Sequence, residues 1–196
     1  YRTLYSVGRP VQYAHLEHEL DLWTVQTAYA TRPWAVEMPS AGRPLQWKHL
    51  LALRARGVKV CALTHAAGLS SSGEAALDAK LPLRERYDIP LETARAVQQA
   101  RGRVVAVGTS VVRALESAAS DDGSVRPGEG STELVLSPRH RPKVVDGLLS
   151  GLHEETASHF SLLGAFVSTA LLRDAYAHAD RAGYASHELG DVCLIY

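Results

Sequence analysis

Apolar positions along this chain fall into short blocks whose spacing alternates between that of strands and that of helices. Val104 to Val107 are four consecutive apolar residues, the pattern of a strand covered on both faces. Gly108, Thr109 and Ser110 turn the chain, and Val112, Leu115 and Ala119 then recur at helical spacing with Arg113 and Glu116 on another side. Trp34–Met38 and Val58–Thr64 predict strands, and Leu45–Arg56 predicts a helix stopped at Gly57. Pro90–Ala100 predicts a second helix, with Pro90 and Glu92 in its first turn and Gly102 beyond its end. Glu133–Leu136 and Lys143–Val145 predict a hairpin around residues 138–142. Ser158–Ala179 reads as one long helix, Leu20–Tyr29 as a shorter one, and Asp191–Tyr196 as a last strand. Ser70–Gly73 and Ser120–Ser131 are rich in turn formers and predict loops. Strands alternating with helices predict the α/β class, with a mixed, largely parallel sheet flanked by helices on both faces.

Composition narrows the picture. At 196 residues and 46% apolar content the chain can bury one substantial core. No apolar run approaches the ~18 residues of a membrane span. Cys61 and Cys193 both stand in apolar runs, so buried thiols and a cytoplasmic location are expected. Lys and Arg number 21 against 21 Asp and Glu. That balance gives no general support for a nucleic-acid partner, which usually meets a positive excess. The chain opens without Met, which reads as the middle of a longer protein, and a monomer is expected.

Chemistry-bearing residues fall at predicted strand tips, where ligands bind in open α/β sheets. They are Ser40, Ala41 and Gly42; His65; Gly108, Thr109, Ser110 and Arg113; His153; and Asp191. Glycine at such a tip lets backbone approach a ligand, and a helix start offers free N–H groups. Arg113 and Glu116, at i and i+3, also fit an ordinary surface ion pair. His15 and His18 have the spacing of a metal pair but no matching carboxylate or cysteine motif, and no metal is expected. Gly-x-Ser-x-Gly and Gly-x-Gly-x-x-Gly are both missing, which argues against a serine hydrolase and a standard dinucleotide fold.

Taken in order, these segments resemble the S-adenosylmethionine:tRNA ribosyltransferase-isomerase family of queuosine biosynthesis. The family's Tyr-Gln-Thr-Val-Tyr-Ala is similar to Val25-Gln-Thr-Ala-Tyr-Ala30, and its Ala-Val-Ala-Ala-Pro-Thr-Ala-Gly to Ala35-Val-Glu-Met-Pro-Ser-Ala-Gly42. Its Thr-Leu-His strand end resembles Leu63-Thr-His65. Its Val-Gly-Thr-Thr-Ser-Val-Arg-Ala-Leu-Glu-Ser resembles Val107-Gly-Thr-Ser-Val-Val-Arg-Ala-Leu-Glu-Ser117. Val144-Val-Asp-Gly-Leu-Leu-Ser-Gly-Leu-His153 and Gly190-Asp-Val-Cys-Leu-Ile195 match two further motifs. The resemblance implies that residues 9–196 form the family's α/β catalytic domain and that 1–8 end a preceding β-barrel, with Tyr1–Tyr5 as its last strand.

It also implies an activity. The ribosyl part of S-adenosylmethionine would move to a 7-deazaguanine base in tRNA, rearranging as adenine and methionine leave. His65, Arg113, His153 and Asp191 are the implied catalytic residues. His65 would carry a proton, Arg113 would grip a carboxylate bidentately, and Asp191 would orient a hydroxyl or amino group. Ser40, Ala41, Gly42, Gly108, Thr109, Ser110, Glu85 and Glu116 are the implied S-adenosylmethionine contacts. The chain also departs from the pattern: Pro44 and Leu83 stand for histidines, Val111 for a serine and Gly151 for an asparagine. Glu154–Ser158 differ from the family's Leu-Pro-Glu-Ser-Thr, and the loop after His65 is shorter. Losing groups built to hydrogen-bond a substrate shifts specificity strongly. A relative acting on a small-molecule acceptor, or a non-catalytic nucleoside-binding domain, therefore stands beside tRNA as an alternative.

Overall fold

The computed structural model describes residues 2–13, 15–70, 73–81, 83–153 and 158–196. The helices are α1 (Arg2–Val7), α2 (Trp47–Ala55), α3 (Ala75–Asp78), α4 (Leu91–Gln98), α5 (Thr109–Ala118), α6 (Ser158–Leu163) and α7 (Thr169–Arg181). The strands are β1 (Thr64–His65), β2 (Glu85–Ile89), β3 (Val105–Val107), β4 (Gly128–Thr132), β5 (Gly147–Gly151) and β6 (Val192–Ile195), and Ser40–Gly42 is a 3₁₀ turn. The mixed α/β class holds. The strands form two sheets, ordered β1-β2-β4 and β3-β5-β6. Among the described residues, parallel pairing is confined to β3 with β5, and the other ladders are antiparallel.

Helix α5 joins the sheets. It packs on β1, β2 and β4 of one and on β3 and β5 of the other. That position demands apolar residues on more than one side, and Val112, Ala114, Leu115 and Ala118 are all buried. Strand β2 alternates cleanly, with Glu85, Tyr87 and Ile89 buried and Arg86 exposed between them. Across the ladder, a side chain at Gly130 would begin 2.5 Å from the Tyr87 ring, so glycine is required for this close approach.

Several expected elements are replaced, for identifiable reasons. The predicted hairpin is missing because its donors and acceptors are taken by side chains. Glu116 accepts the amides of Lys143, Val144 and Val145, and Leu134 N–H donates to Thr132 Oγ1. The strand forms instead over Gly128–Thr132, within the turn-rich stretch, paired residue for residue with β2. Of Val58–Thr64, only Thr64 joins a ladder, together with His65. Residues 58–63 find no ladder partner among the described residues, although Thr93 Oγ1 donates to Ala62 O at 2.6 Å. Trp34–Met38 is a turn, and the Trp34 ring stacks against the guanidinium of Arg86 at 3.8 Å.

The expected long helix breaks near Gly164 and restarts at Ser168, whose hydroxyl caps α7 by accepting Leu171 N–H. Residues 20–29 make isolated turns such as Thr24 N–H to Asp21 O. Residues 2–7 are helical rather than a strand, and the Leu4 carbonyl is taken locally by Gly8 N–H. The serines at 71–72 and Glu154–Ala157 lie outside the described residues.

Candidate functional site

Three clusters of chemistry-bearing residues gather around β3, β5 and α5. The first is buried. His65 at the end of β1 lies opposite Tyr87 of β2, and Glu85 opens β2 on the same inward face. Arg113, four residues into α5 from Thr109, reaches across to meet them. One Glu85 oxygen, Oε2, forms an ion pair with Arg113 Nη1 and lies 3.5 Å from His65 Nε2. The other, Oε1, accepts the Gly68 amide at 2.6 Å. The His65 side chain is 4% exposed, and those of Arg113 and Glu85 are 9% exposed. A buried ion pair is stable only when its remaining hydrogen-bonding capacity is met. Arg113 Nε meets that condition by donating to Leu134 O at 2.9 Å. Arg113 Nη2 and both ring nitrogens of His65 do not; all three are buried without a hydrogen-bond partner.

The electrostatics follow from this packing. Burial disfavours the imidazolium and brings the His65 pKa down to about 4. Glu85 pulls it upward and Arg113 downward, so desolvation prevails. His65 is therefore neutral near pH 7, with a nitrogen lone pair available. Arg113 does grip a carboxylate, but the carboxylate is Glu85, so its fork is not free for a bidentate hold on a ligand.

The second cluster is backbone-lined. Gly108 ends β3 with φ +88°, a left-handed conformation that excludes most side chains. Its amide donates to Leu149 O of β5 at 2.9 Å, and it sits against Ala41 of the 3₁₀ turn. Thr109 and Ser110 are half-buried at the start of α5. Ala41 and Gly42 are buried, Ser40 is half-buried, and the Tyr29 hydroxyl donates to Gly42 O at 3.0 Å. The structure thus brings Ser40–Gly42 and Gly108–Ser110 together, within one helical turn of Arg113.

The third cluster lies past β5. Ser150 is 1% exposed, and its hydroxyl lies 3.4 Å from His153 Nε2. Asp191 is exposed; its Oδ2 accepts Ala185 N–H at 2.8 Å and its carbonyl accepts Leu152 N–H. It fastens a loop in which His187 and Leu189 adopt φ of 69° and 72°. Such strain in non-glycine residues persists only where surroundings enforce it.

Glu116 stands apart from all three clusters. Its side chain is 1% exposed and closes on three backbone amides, with His140 Nε2 at 3.6 Å. It neither faces a ligand surface nor pairs with Arg113 at the helix surface. Sequence reasoning passed over Tyr29 and Ser150, although both lie inside the matched motifs, where their hydroxyls were the available signal. The Gly68 amide and the Leu134 carbonyl carry no side-chain signal. Among the described residues, no three His, Cys, Asp or Glu side chains gather as a metal site, and no helix is long and apolar enough to cross a membrane.

The family model described as queuosine biosynthesis protein matches residues 1–195. The S-adenosylmethionine:tRNA ribosyltransferase-isomerase of Nitrobacter winogradskyi is 38% identical over 177 residues, covering 87% of this chain and 49% of that protein. The protein of the same name from Gluconacetobacter diazotrophicus is 39% identical, covering 91% of this chain and 52% of its own length. The crystal structure of S-adenosylmethionine tRNA ribosyltransferase from Thermotoga maritima superposes with a TM-score of 0.64 at 27% identity, over 80% of this chain and 51% of that one. The chain spans about half the length of the curated relatives it matches. With the family model matching residues 1–195 and relatives 38% and 39% identical over 87% and 91% of its length, the chain belongs to the queuosine biosynthesis protein family.

Proposed function

We propose that this chain acts as an S-adenosylmethionine-dependent ribosyltransferase-isomerase, moving the ribosyl moiety of S-adenosylmethionine to a 7-deazaguanine base in tRNA and releasing adenine and methionine in the cytoplasm. The observation that carries this function is a neutral, desolvated imidazole, His65, held beside the Glu85–Arg113 pair one helical turn from a glycine-lined strand tip. Proton removal beside a sulfonium needs a base that is unprotonated at working pH, and His65 is one.

The Gly108–Ser110 and Ser40–Gly42 segments would hold S-adenosylmethionine, since backbone amides at a helix start suit its polar groups. His153, backed by Ser150, is the second proton carrier and serves departing adenine. For the methionine carboxylate, the remaining Arg113 donor is Nη2, a single bond in place of a fork. Asp191 acts through the 185–190 loop it fastens, Glu85 through Arg113 and His65, and Glu116 through the 143–145 segment. Because His65 and Arg113 are nearly excluded from solvent, substrate binding has to displace chain from above them.

The test is incubation of the protein with S-adenosylmethionine and a tRNA carrying 7-aminomethyl-7-deazaguanine, followed by assay of free adenine and methionine. tRNA-dependent release of both supports the function. Release that needs a small acceptor instead assigns a different substrate, which is what the losses at Val111 and Gly151 favour. Cofactor binding without release leaves a nucleoside-binding domain and overturns catalysis.

A further inference from the structure

We propose that Glu85 is a positioning residue that fixes the proton of His65 on Nε2 and leaves Nδ1 as the atom that accepts a proton from substrate. This rests on the function proposed above and assigns the tautomer, the base atom and the role of a second side chain.

The geometry gives the two ring nitrogens unequal surroundings. Nε2 lies 3.5 Å from Glu85 Oε2, the one carboxylate oxygen it approaches. Both nitrogens are buried and neither makes a hydrogen bond; the difference is that Nε2 has the Glu85 carboxylate as a close neighbour. A neutral imidazole carries one N–H and one lone pair. The N–H gains most beside the anionic oxygen, so it belongs on Nε2, and the lone pair is then on Nδ1. Catalytic hydrogen bonds are often long before substrate binds, and the 3.5 Å separation is of that kind.

The groups facing His65 are Glu85 from β2 and Arg113 from α5. Both Glu85 oxygens are engaged, Oε2 by the Arg113 guanidinium and Oε1 by the Gly68 amide. In the step, a substrate C–H bond beside the sulfonium breaks and its electron pair stays on carbon. The proton forms an N–H bond at Nδ1, and the resulting imidazolium is stabilised by the Glu85 anion. The same division of labour between an orienting carboxylate and a proton-carrying imidazole serves the serine-protease triad. Burial then has two consequences: it keeps His65 neutral, and it strengthens the attraction between Glu85 and the imidazolium.

The experiment is ring-¹⁵N NMR of His65 in the whole protein, assigned by comparison with His65→Gln, together with adenine release by Glu85→Gln and Glu85→Asp. The wild-type ring should show a protonated Nε2 and an unprotonated Nδ1 at pH 7.5. Glu85→Gln should lower the His65 pKa, because the anion that favours the imidazolium is lost. Its adenine release should fall about 100-fold, within the range of general acid–base effects, with the loss in kcat larger than any rise in KM for S-adenosylmethionine. Glu85→Asp should restore part of the rate. A wild-type ring protonated on Nδ1 overturns the proposal, and so does a Glu85→Gln protein whose His65 pKa and rate both equal wild type. The wild-type tautomer is read without either Glu85 variant, His65→Gln serving only to assign the ring signals. If the wild-type protein releases no adenine, the transferase function falls, and the ring measurement still decides the tautomer separately.

Discussion

Glu85 and Glu116 are both buried carboxylates, and their partners decide what each one does. Glu116 is satisfied by three amides of one segment, so its removal strands three donors at once. Each buried donor left unpaired costs about 1–3 kcal/mol. Glu116→Ala should therefore destabilise the protein by about 3 kcal/mol or more, read as a lowered urea midpoint. A loss under 1 kcal/mol would mean that water replaces the side chain. His65 gives a pH prediction of definite sign. Its folded pKa, about 4, is below the unfolded value of 6.5. Between those values the unfolded chain binds the proton and the folded one resists it. Stability is thus unaffected above pH 6.5, declines as pH falls through the window, and is fully reduced below pH 4, by about 3 kcal/mol. Comparing urea midpoints of wild type and His65→Gln at pH 7.5 and pH 4.5 isolates this contribution, and equal changes in both proteins would contradict it. The residues themselves were legible: His65, Arg113 and Gly108 stand in matched motifs, and the resemblance also implies Glu85 as a contact. Their pairing was not, because Glu85 and Arg113 are 28 positions apart and only the packing of α5 against β2 brings them together.

At the scale of elements, the sequence succeeded where hydrophobic periodicity was not opposed by side-chain capture. Helices α4 and α5 and strands β3 and β6 fall within a residue or two of their expected positions, since each buries an apolar face against a neighbour. The misplaced hairpin shows the limit. Leu134 and Val145 have strand-forming composition, but their backbone groups bond to Thr132, Arg113 and Glu116 instead of to a ladder. Strand β4 is the converse case: Gly128-Glu-Gly-Ser-Thr132 has low strand propensity and forms because β2 is adjacent and unpaired on that side. The split of α6 from α7 rests on local chemistry that was visible, Gly164 and then Ser168 as an N-cap. Ser168→Ala should cost about 1 kcal/mol and loosen the first turn of α7, seen as faster amide exchange at Leu171. Unchanged exchange there would show that α7 is held by packing of Leu172 alone.

For the whole molecule, α5 decides whether two small sheets behave as one body. Neither three-stranded sheet buries much by itself, and β1 contributes only two residues to its own. Tyr87 and Ile89 from one sheet share a single apolar cluster with Ala106, Leu148 and Ile195 from the other, through Val112, Ala114 and Leu115 of α5. Core continuity of this kind predicts one cooperative unfolding transition. Leu148 tests it, because it is fully buried in β5, on the sheet that does not carry His65. Leu148→Ala should lower stability by about 2–5 kcal/mol, the range for a large-to-small change in a packed core. The loss should reach the other sheet undiminished. Trp34, stacked on Arg86 of β2, reports that sheet through its fluorescence, so a variant keeping Trp34 while its other two tryptophans, Trp23 and Trp47, are replaced by phenylalanine supplies a local probe. Its fluorescence transition in urea and the far-UV circular dichroism transition should move together to the same lower midpoint. If the Trp34 transition stays in place while the dichroism shifts, the sheets unfold separately. Glu85 and His65 would then be held by their own sheet alone, and the alignment of the imidazole with the Gly108 tip would depend on α5 only while the native state lasts.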